Sequence, residues 1–215
     1  MKVIAINASP RKNANTATML THALEGAASE GVQTKLIHLY DIDFKGCISC
    51  FACKQKDSKS YLRCAVNDGL QSVLREIEEA DALLLGSPIY YSCVTGEMRS
   101  FLERLIFQCL IYDANYTNDF VKKMPTAFIF TMNMRDEYLD MAGYNVYFEN
   151  MRAAMARTFG SCETLLSTDT YQFDDYAKYE TSAFDAQDKA ERHKTVFPQD
   201  CEKAFELGAR LIRQA

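Results

Sequence analysis

Ser9, Arg11, Asn13, Asn15 and Thr16 crowd hydroxyl, amide and guanidinium donors into one short segment with no carboxylate among them. Side chains of this kind bind an anion, and Arg11 adds a fixed charge suited to phosphate oxygens. The apolar run Val3-Ile4-Ala5-Ile6 precedes them, as in a strand buried on both faces, and Ala17 to Leu24 opens a helix after them. Asn15 or Thr16 is expected to cap that helix. A buried strand passing through a polar loop into a helix N-terminus brings free amides and the positive end of the helix dipole to one point. Neither G-x-G-x-x-G nor G-x-x-x-x-G-K-[ST] is present, so neither a dinucleotide fingerprint nor a triphosphate cradle is supported. Donors wrapped round a terminal phosphate suit a mononucleotide better than a pyrophosphate.

Two further groups carry chemistry. Cys47, Cys50 and Cys53 stand at intervals of three, with Cys64 after a gap of ten residues. The compact triplet matches the loops that wrap thiolates round an iron–sulfur cube, with Cys64 as the fourth ligand; zinc suits four thiolates too. The gap before Cys64 is long for a cluster, and the same residues can pack simply as small apolar side chains. The second group is Ser87-Pro88-Ile89-Tyr90-Tyr91-Ser92-Cys93-Val94-Thr95-Gly96, where a proline and two tyrosines precede another helix start. A planar heteroaromatic ring can lie along Pro88, Ile89 and Tyr90 and accept backbone hydrogen bonds.

Alternating strands and helices must position these groups. Val32 to Tyr40 reads as a second strand with one wetter face, and Asp68 as the cap of a helix burying Leu70, Val73, Leu74 and Ile77. Ala82 to Ser87, Thr126 to Thr131 and Glu163 to Ser167 read as three more strands. A helix starts at Thr95, one carries Phe148, Met151, Met155 and Phe159, and a last begins near Gln199, burying Cys201, Ala204, Phe205, Gly208, Leu211 and Ile212. The pattern predicts an α/β fold: a doubly wound, five-stranded parallel sheet of order 2-1-3-4-5 with helices on both faces. Ligands of that fold lie beyond the carboxyl ends of strands 1 and 3, so the two loops are expected to meet. One domain spanning 1–215 is expected, with a cysteine-rich insertion at 41–67 and an aromatic-rich, otherwise irregular segment at 170–198.

Composition narrows the partners. A formal net charge of −5 disfavours nucleic acid and anionic membranes, and no apolar run is long enough to span a bilayer. No export signal is visible at the N-terminus, so a cytoplasmic protein is expected. Cys93, Cys109, Cys162 and Cys201 sit among apolar neighbours and are expected in the core. His22, His38 and His193 are isolated and expected at the surface. A phosphorylated receiver of the same sheet order is disfavoured, because Asn7, Ala8 and Ser9 follow strand 1 where acidic residues would hold magnesium.

Ser9-Pro10-Arg11 with Asn13, Asn15 and Thr16, then Ser87-Pro88-Ile89-Tyr90 and Thr95-Gly96, resemble the flavodoxin-like NAD(P)H-dependent FMN reductases. The cysteines between them resemble the iron–sulfur flavoprotein branch. The resemblance implies that Ser9, Arg11, Asn13, Asn15 and Thr16 hold the FMN phosphate and that Pro88, Ile89, Tyr90 and Tyr91 line the isoalloxazine. It further implies that Asn133 reaches the flavin edge, with Cys47, Cys50, Cys53 and Cys64 as candidate ligands of a [4Fe-4S] cluster. NAD(P)H is the implied co-substrate and a quinone-like or other small molecule the implied electron acceptor, in a homodimer or homotetramer. An electron carrier between redox proteins is the alternative. No side chain is expected to serve as a catalytic acid, base or nucleophile, since the flavin carries the chemistry.

Overall fold

The computed structural model describes residues 1–215. Five parallel strands, β1 (Lys2–Asn7), β2 (Gln33–His38), β3 (Ala82–Tyr90), β5 (Met124–Thr131) and β6 (Gly160–Ser167), lie in the order β2-β1-β3-β5-β6. A two-residue strand, β4 (Cys93–Val94), pairs antiparallel with the end of β3 and makes the sheet six-stranded. Set aside that addition and the order is the expected 2-1-3-4-5.

Strand alternation divides the interior into two cores. Ile4, Ile6, Leu83, Leu85, Phe128 and Phe130 face one way, with the buried residues of α2 (Gly69–Glu79), α3 (Gly96–Phe107) and α4 (Tyr144–Phe159). Val3, Ala5, Ala82, Leu84, Ala127 and Ile129 face the other, with α1 (Asn15–Ser29) and α6 (Phe197–Arg213). The first core is aromatic: Phe130 stacks on Phe128 at 4.2 Å and on Phe148 at 4.6 Å. In the second, Gly26 on α1 and Gly208 on α6 let the two helices touch backbone to backbone. A Cβ on Gly208 would lie 1.7 Å from the Ala23 carbonyl oxygen. No helix is long and apolar enough to cross a membrane.

Several local expectations are corrected. Ala14, not Asn15 or Thr16, occupies the N-cap of α1 and makes no side-chain cap, because Asn15 and Thr16 already belong to the first turn. Residues 87–96 are not an open loop; β3 continues through Pro88, Ile89 and Tyr90 and turns back at Tyr91 and Ser92, whose φ angles of 46° and 65° make a tight hairpin. That hairpin pushes Cys93 to the surface, whereas Cys109, Cys162 and Cys201 are buried. Phe205 points outward from α6, exposed where burial was expected. The segment after β6 includes a regular helix, α5 (Ala186–Thr195). Only His193 is exposed; His22 and His38 are half-buried, and His38 Nδ1 lies 2.9 Å from Asn7 Nδ2.

Two cations tie the insertion to α3. The fully buried Arg104 donates to the carbonyls of Lys45 (3.2 Å) and Val66 (3.2 Å), to Asp68 Oδ2 (2.5 Å) and to Cys64 Sγ (3.3 Å). Lys54 reaches the end of α3, donating to the carbonyls of Phe107, Gln108 (3.2 Å) and Leu110 (2.5 Å), where orphan acceptors and the helix dipole favour a cation. Asp68 also caps α2, accepting from the Leu70 amide at 3.1 Å. Burial would raise its pKa, but the Arg104 hydrogen bond and charge, with the Leu70 and Lys45 amides, outweigh this and hold the carboxyl below its usual value.

Asp68→Asn strands a buried guanidinium and is expected to cost about 3 kcal/mol. Because the folded pKa is depressed, that stabilisation is complete above the ordinary aspartate pKa and disappears as pH falls through the lower, folded one. Urea unfolding at a series of pH values should show the two proteins diverging at neutral pH and converging in acid.

Candidate functional site

At the carboxyl rim of the sheet, β1 ends with Asn7 opposite Gly86, β5 and β6 end two residues further along with Thr131 opposite both Pro88 and Ser167, and β3 runs on to Tyr90. Buried hydroxyls join the loops that leave this rim. Thr95 Oγ1 donates to the Ala8 carbonyl at 2.9 Å, so the start of α3 holds the first loop. The Thr95 amide donates to Ser87 Oγ at 3.1 Å, and Thr95 Oγ1 caps α3 by accepting from Met98 N. Thr16 Oγ1 and Thr131 Oγ1 share a 2.7 Å hydrogen bond between α1 and β5. A Cβ on Gly86 would lie 2.6 Å from Leu20 Cδ1 and 3.0 Å from Thr16 Cγ2, so only glycine lets the first turns of α1 settle on β3. The two loops therefore meet at one rim.

Within the first loop, the buried Ser9 is locked in place. Its amide donates to Asn7 Oδ1 at 3.0 Å, and its hydroxyl donates to the Arg11 carbonyl and accepts from the Arg11 amide, each at 3.2 Å. The amides of Lys12, Asn13, Asn15, Thr16 and Ala17 donate to no protein acceptor, which leaves a nest of N–H groups at the positive end of α1. Arg11 and Asn15 are engaged elsewhere: Arg11 Nη1 donates to the Gln172 carbonyl at 2.7 Å and Asn15 Nδ2 to the Tyr171 carbonyl at 2.9 Å. The aromatic-rich segment thus lies beside this loop, and Asn13 is exposed.

Across the rim, Pro88 is buried in β3, Ile89 is half-buried, and Tyr90 and Tyr91 are exposed on the hairpin. Tyr147 Oη accepts from the Val94 amide at 3.0 Å and steadies the hairpin from α4. Burial raises the Tyr147 hydroxyl pKa. Tyr40 is also raised, by burial first and then by Glu97 and Tyr90, against a hydrogen bond to Thr95. Asn133, two residues past the end of β5, gives its side-chain carbonyl to the ammonium of Lys189.

The four clustered cysteines line one small cavity with Arg104, Phe107 and Gln108, although no three of them are disposed as ligands of a single ion. Cys53 is buried, which raises its thiol pKa. Cys109, just behind them, is pushed up to about 12 by burial. Sequence reasoning missed the linking roles of Thr95 and Thr131, although Thr95-Gly96 was legible as a helix start. It also missed Lys189 and Asp169, for which the polar α5 offers no local signal.

A doubly wound parallel sheet with an amide-rich turn facing a hairpin across the ends of β1 and β3 defines a flavodoxin-like α/β protein. Residues 1–142 match the sequence profile of the NADPH-dependent FMN reductases, and the chain belongs to that family. An iron-sulfur flavoprotein of Methanocaldococcus jannaschii is 36% identical over 104 residues, covering 48% of this chain and 51% of that protein. One of Archaeoglobus fulgidus is 36% identical over the same length, covering 48% of each. The chain thus spans about half the length of the curated relatives it matches. Its fold resembles an NAD(P)H:quinone oxidoreductase of Methanothermobacter marburgensis (TM-score 0.65, 17% identity, 99% of this chain and 97% of that one). It also resembles an FMN-dependent NADH-azoreductase of Bacillus anthracis in complex with FMN (TM-score 0.64, 13% identity, 98% of each).

Thr95→Ala removes the cap of α3 and leaves the Ala8 carbonyl without its partner. It is expected to lower stability by about 2 kcal/mol, measured by urea unfolding; a loss confined to a few tenths would mean that the two loops are held by other contacts.

Proposed function

We propose that this protein is an FMN-dependent oxidoreductase that takes electrons from NAD(P)H and passes them to a quinone-like or other small acceptor. The observation that carries this reading is the nest of unpartnered amides at α1, set beside Ser9 and Thr16 and facing Pro88 to Tyr90 across a shared rim. Its chemistry fits a phosphate monoester: neutral donors and a helix dipole, with no carboxylate in the loop. In this reading Ser9, Asn13, Thr16 and the amides hold the phosphate. Arg11 and Asn15 join them, oriented by the Tyr171 and Gln172 carbonyls. Pro88, Ile89, Tyr90 and Tyr91 line the ring, and Asn133 meets its edge.

FMN, when bound, accepts hydride from the nicotinamide and passes electrons on singly or in pairs. The chain's part is to bind the phosphate, orient the ring and keep its reactive face open, which the exposed Tyr90 and Tyr91 permit. No side chain need move a proton, and none is assigned that role. We take residues 1–215 as one domain. All eight cysteines are free, which fits the reducing cytoplasm in which we place the protein. A homodimer or homotetramer is proposed, meeting on the α3–α4 face, where Leu102, Ile106, Leu110 and Met151 line a groove beside exposed Tyr112 and Tyr116.

FMN titration of the apoprotein, followed by flavin fluorescence, tests the site. The Arg11→Ala, Thr16→Ala double variant is expected to bind at least about tenfold more weakly, equivalent to ~1.4 kcal/mol. Equal retention through purification would remove the loop from the site. Oxidation of NADH and NADPH with a quinone tests the turnover; a reducible flavin with negligible turnover would make the protein a carrier instead.

A second reading rests on the shared cavity of Cys47, Cys50, Cys53 and Cys64, with Arg104 donating to Cys64 Sγ, and on the names of the archaeal relatives. There the four thiolates hold a [4Fe-4S] cluster and favour relay between redox proteins. Protein purified without oxygen is then expected to contain iron and acid-labile sulfide in proportion, lost on Cys50→Ser. Neither metal nor sulfide in the preparation would leave the cysteines as packing residues.

A further inference from the structure

α5, Ala186-Gln187-Asp188-Lys189-Ala190-Glu191-Arg192-His193-Lys194-Thr195, has the composition of a solvated surface helix. Yet the Lys189 side chain is only 2% exposed. A buried ammonium is held at a cost unless it is paired and fully hydrogen-bonded. Lys189 Nζ donates to Asp169 Oδ1 and to Asn133 Oδ1, and lies 5.2 Å from the centre of the Phe184 ring. Asp169 is itself constrained, with a left-handed φ of 50°. Its amide donates to the Met134 carbonyl at 2.8 Å, and the Thr170 amide donates to the Met132 carbonyl at 3.0 Å. The loop after β6 is thereby joined to the loop after β5, and Lys189 closes the join from above.

Two consequences follow for the rim. An ammonium has only protons to give, so Asn133 must present its carbonyl to Lys189, and its NH2 group is left as the donor at the other end of the amide. The charges also do not cancel. Arg135 Nε stands 3.6 Å and Arg192 Nε 3.9 Å from Asp169 Oδ2, so three cations share one carboxylate. Packing α5 beside α6 needs no such excess, since apolar residues of similar volume hold buried contacts at least as well. A positive charge beside a redox ring stabilises the negative charge that reduction places there.

We propose that Lys189 is a positioning residue for the flavin site: it turns the Asn133 amide so that its NH2 group serves as a donor to the ring edge, and it supplies buried positive charge that raises the potential of bound FMN. This rests on the flavin reading given above. Asn133 stands two residues beyond Thr131, which pairs with Pro88 at the carboxyl edge, so the effect acts on the ring end of the site rather than on the phosphate end.

The test uses the full chain with FMN bound and measures its midpoint potential, its FMN affinity and its thermal midpoint. Lys189→Met is expected to weaken the preference for reduced over oxidised FMN about tenfold, a fall of ~30 mV for a two-electron couple. Lys189→Arg, which keeps the charge, returns the potential toward the wild-type value. Asn133→Ala leaves the Lys189–Asp169 pair intact and is expected to lower the potential and weaken FMN binding, less than additively with Lys189→Met. A Lys189→Met protein that binds FMN at the wild-type potential overturns the proposal, even if its thermal midpoint falls. Should Lys189→Met not fold, Asn133→Ala decides alone, and an unchanged potential and affinity there overturn it equally. Wild-type protein that takes up no FMN overturns the flavin reading itself, and shows this before any variant is compared.

Discussion

The carboxyl ends of four parallel strands lie within a few residues of one another, with β3 reaching furthest, and the rest of this molecule is arranged around that rim. Its loops are held by buried hydroxyls rather than by apolar contacts. Thr95 reaches the Ala8 carbonyl, its amide reaches Ser87, and Thr16 meets Thr131. Short polar side chains suit the position because each can donate and accept within one residue's reach. They satisfy the edge while keeping it narrow enough for α1 to sit directly on β3. Gly86 enforces that approach, since any side chain there would collide with Leu20 and Thr16.

The same economy governs the irregular segments. Each is anchored by long cations reaching several oxygens at once. Arg104 gathers residues 45, 64, 66 and 68. Lys54 reaches the carbonyls of Phe107, Gln108 and Leu110 at and just beyond the end of α3. Lys189 draws Asp169 and Asn133 together. A cation on a flexible stem can bring donors to several carbonyls that a rigid apolar side chain could only leave unsatisfied. The cost is that these segments depend on buried charges whose pairing must be kept.

The aromatic segment after β6 links these two systems. Its carbonyls at Tyr171 and Gln172 hold Asn15 and Arg11, while Phe173 stacks on Tyr179 at 4.0 Å and Tyr171 on His193 at 5.2 Å. The amide nest and the loop after β5 are therefore both bounded by one stretch of chain, running from Asp169 to α5. The proposed phosphate and ring positions would share this wall, so a change at one end would reach the other.

What the sequence by itself determined is local or periodic. Runs such as Val3 to Ile6 and Ala82 to Leu85 cannot be solvated, Asp68 and Thr95 stand where a helix needs a cap, and alternating strands and helices admit few topologies. From these the sheet order and the meeting of the two loops could be read in advance. Only the tertiary structure decided which donors remain available and which charges are buried. Tyr91 and Ser92 close a hairpin without the Asn-Gly pair that normally announces one, so Cys93 came out to solvent. Arg11 and Asn15 found partners more than 150 residues away. Lys189 looks like any surface lysine in its own helix, and only the docking of α5 buries it. The physical reason is range: burial patterns and caps are set by neighbours in the chain, whereas the partner of a long polar side chain is whichever oxygen the fold happens to bring within its reach.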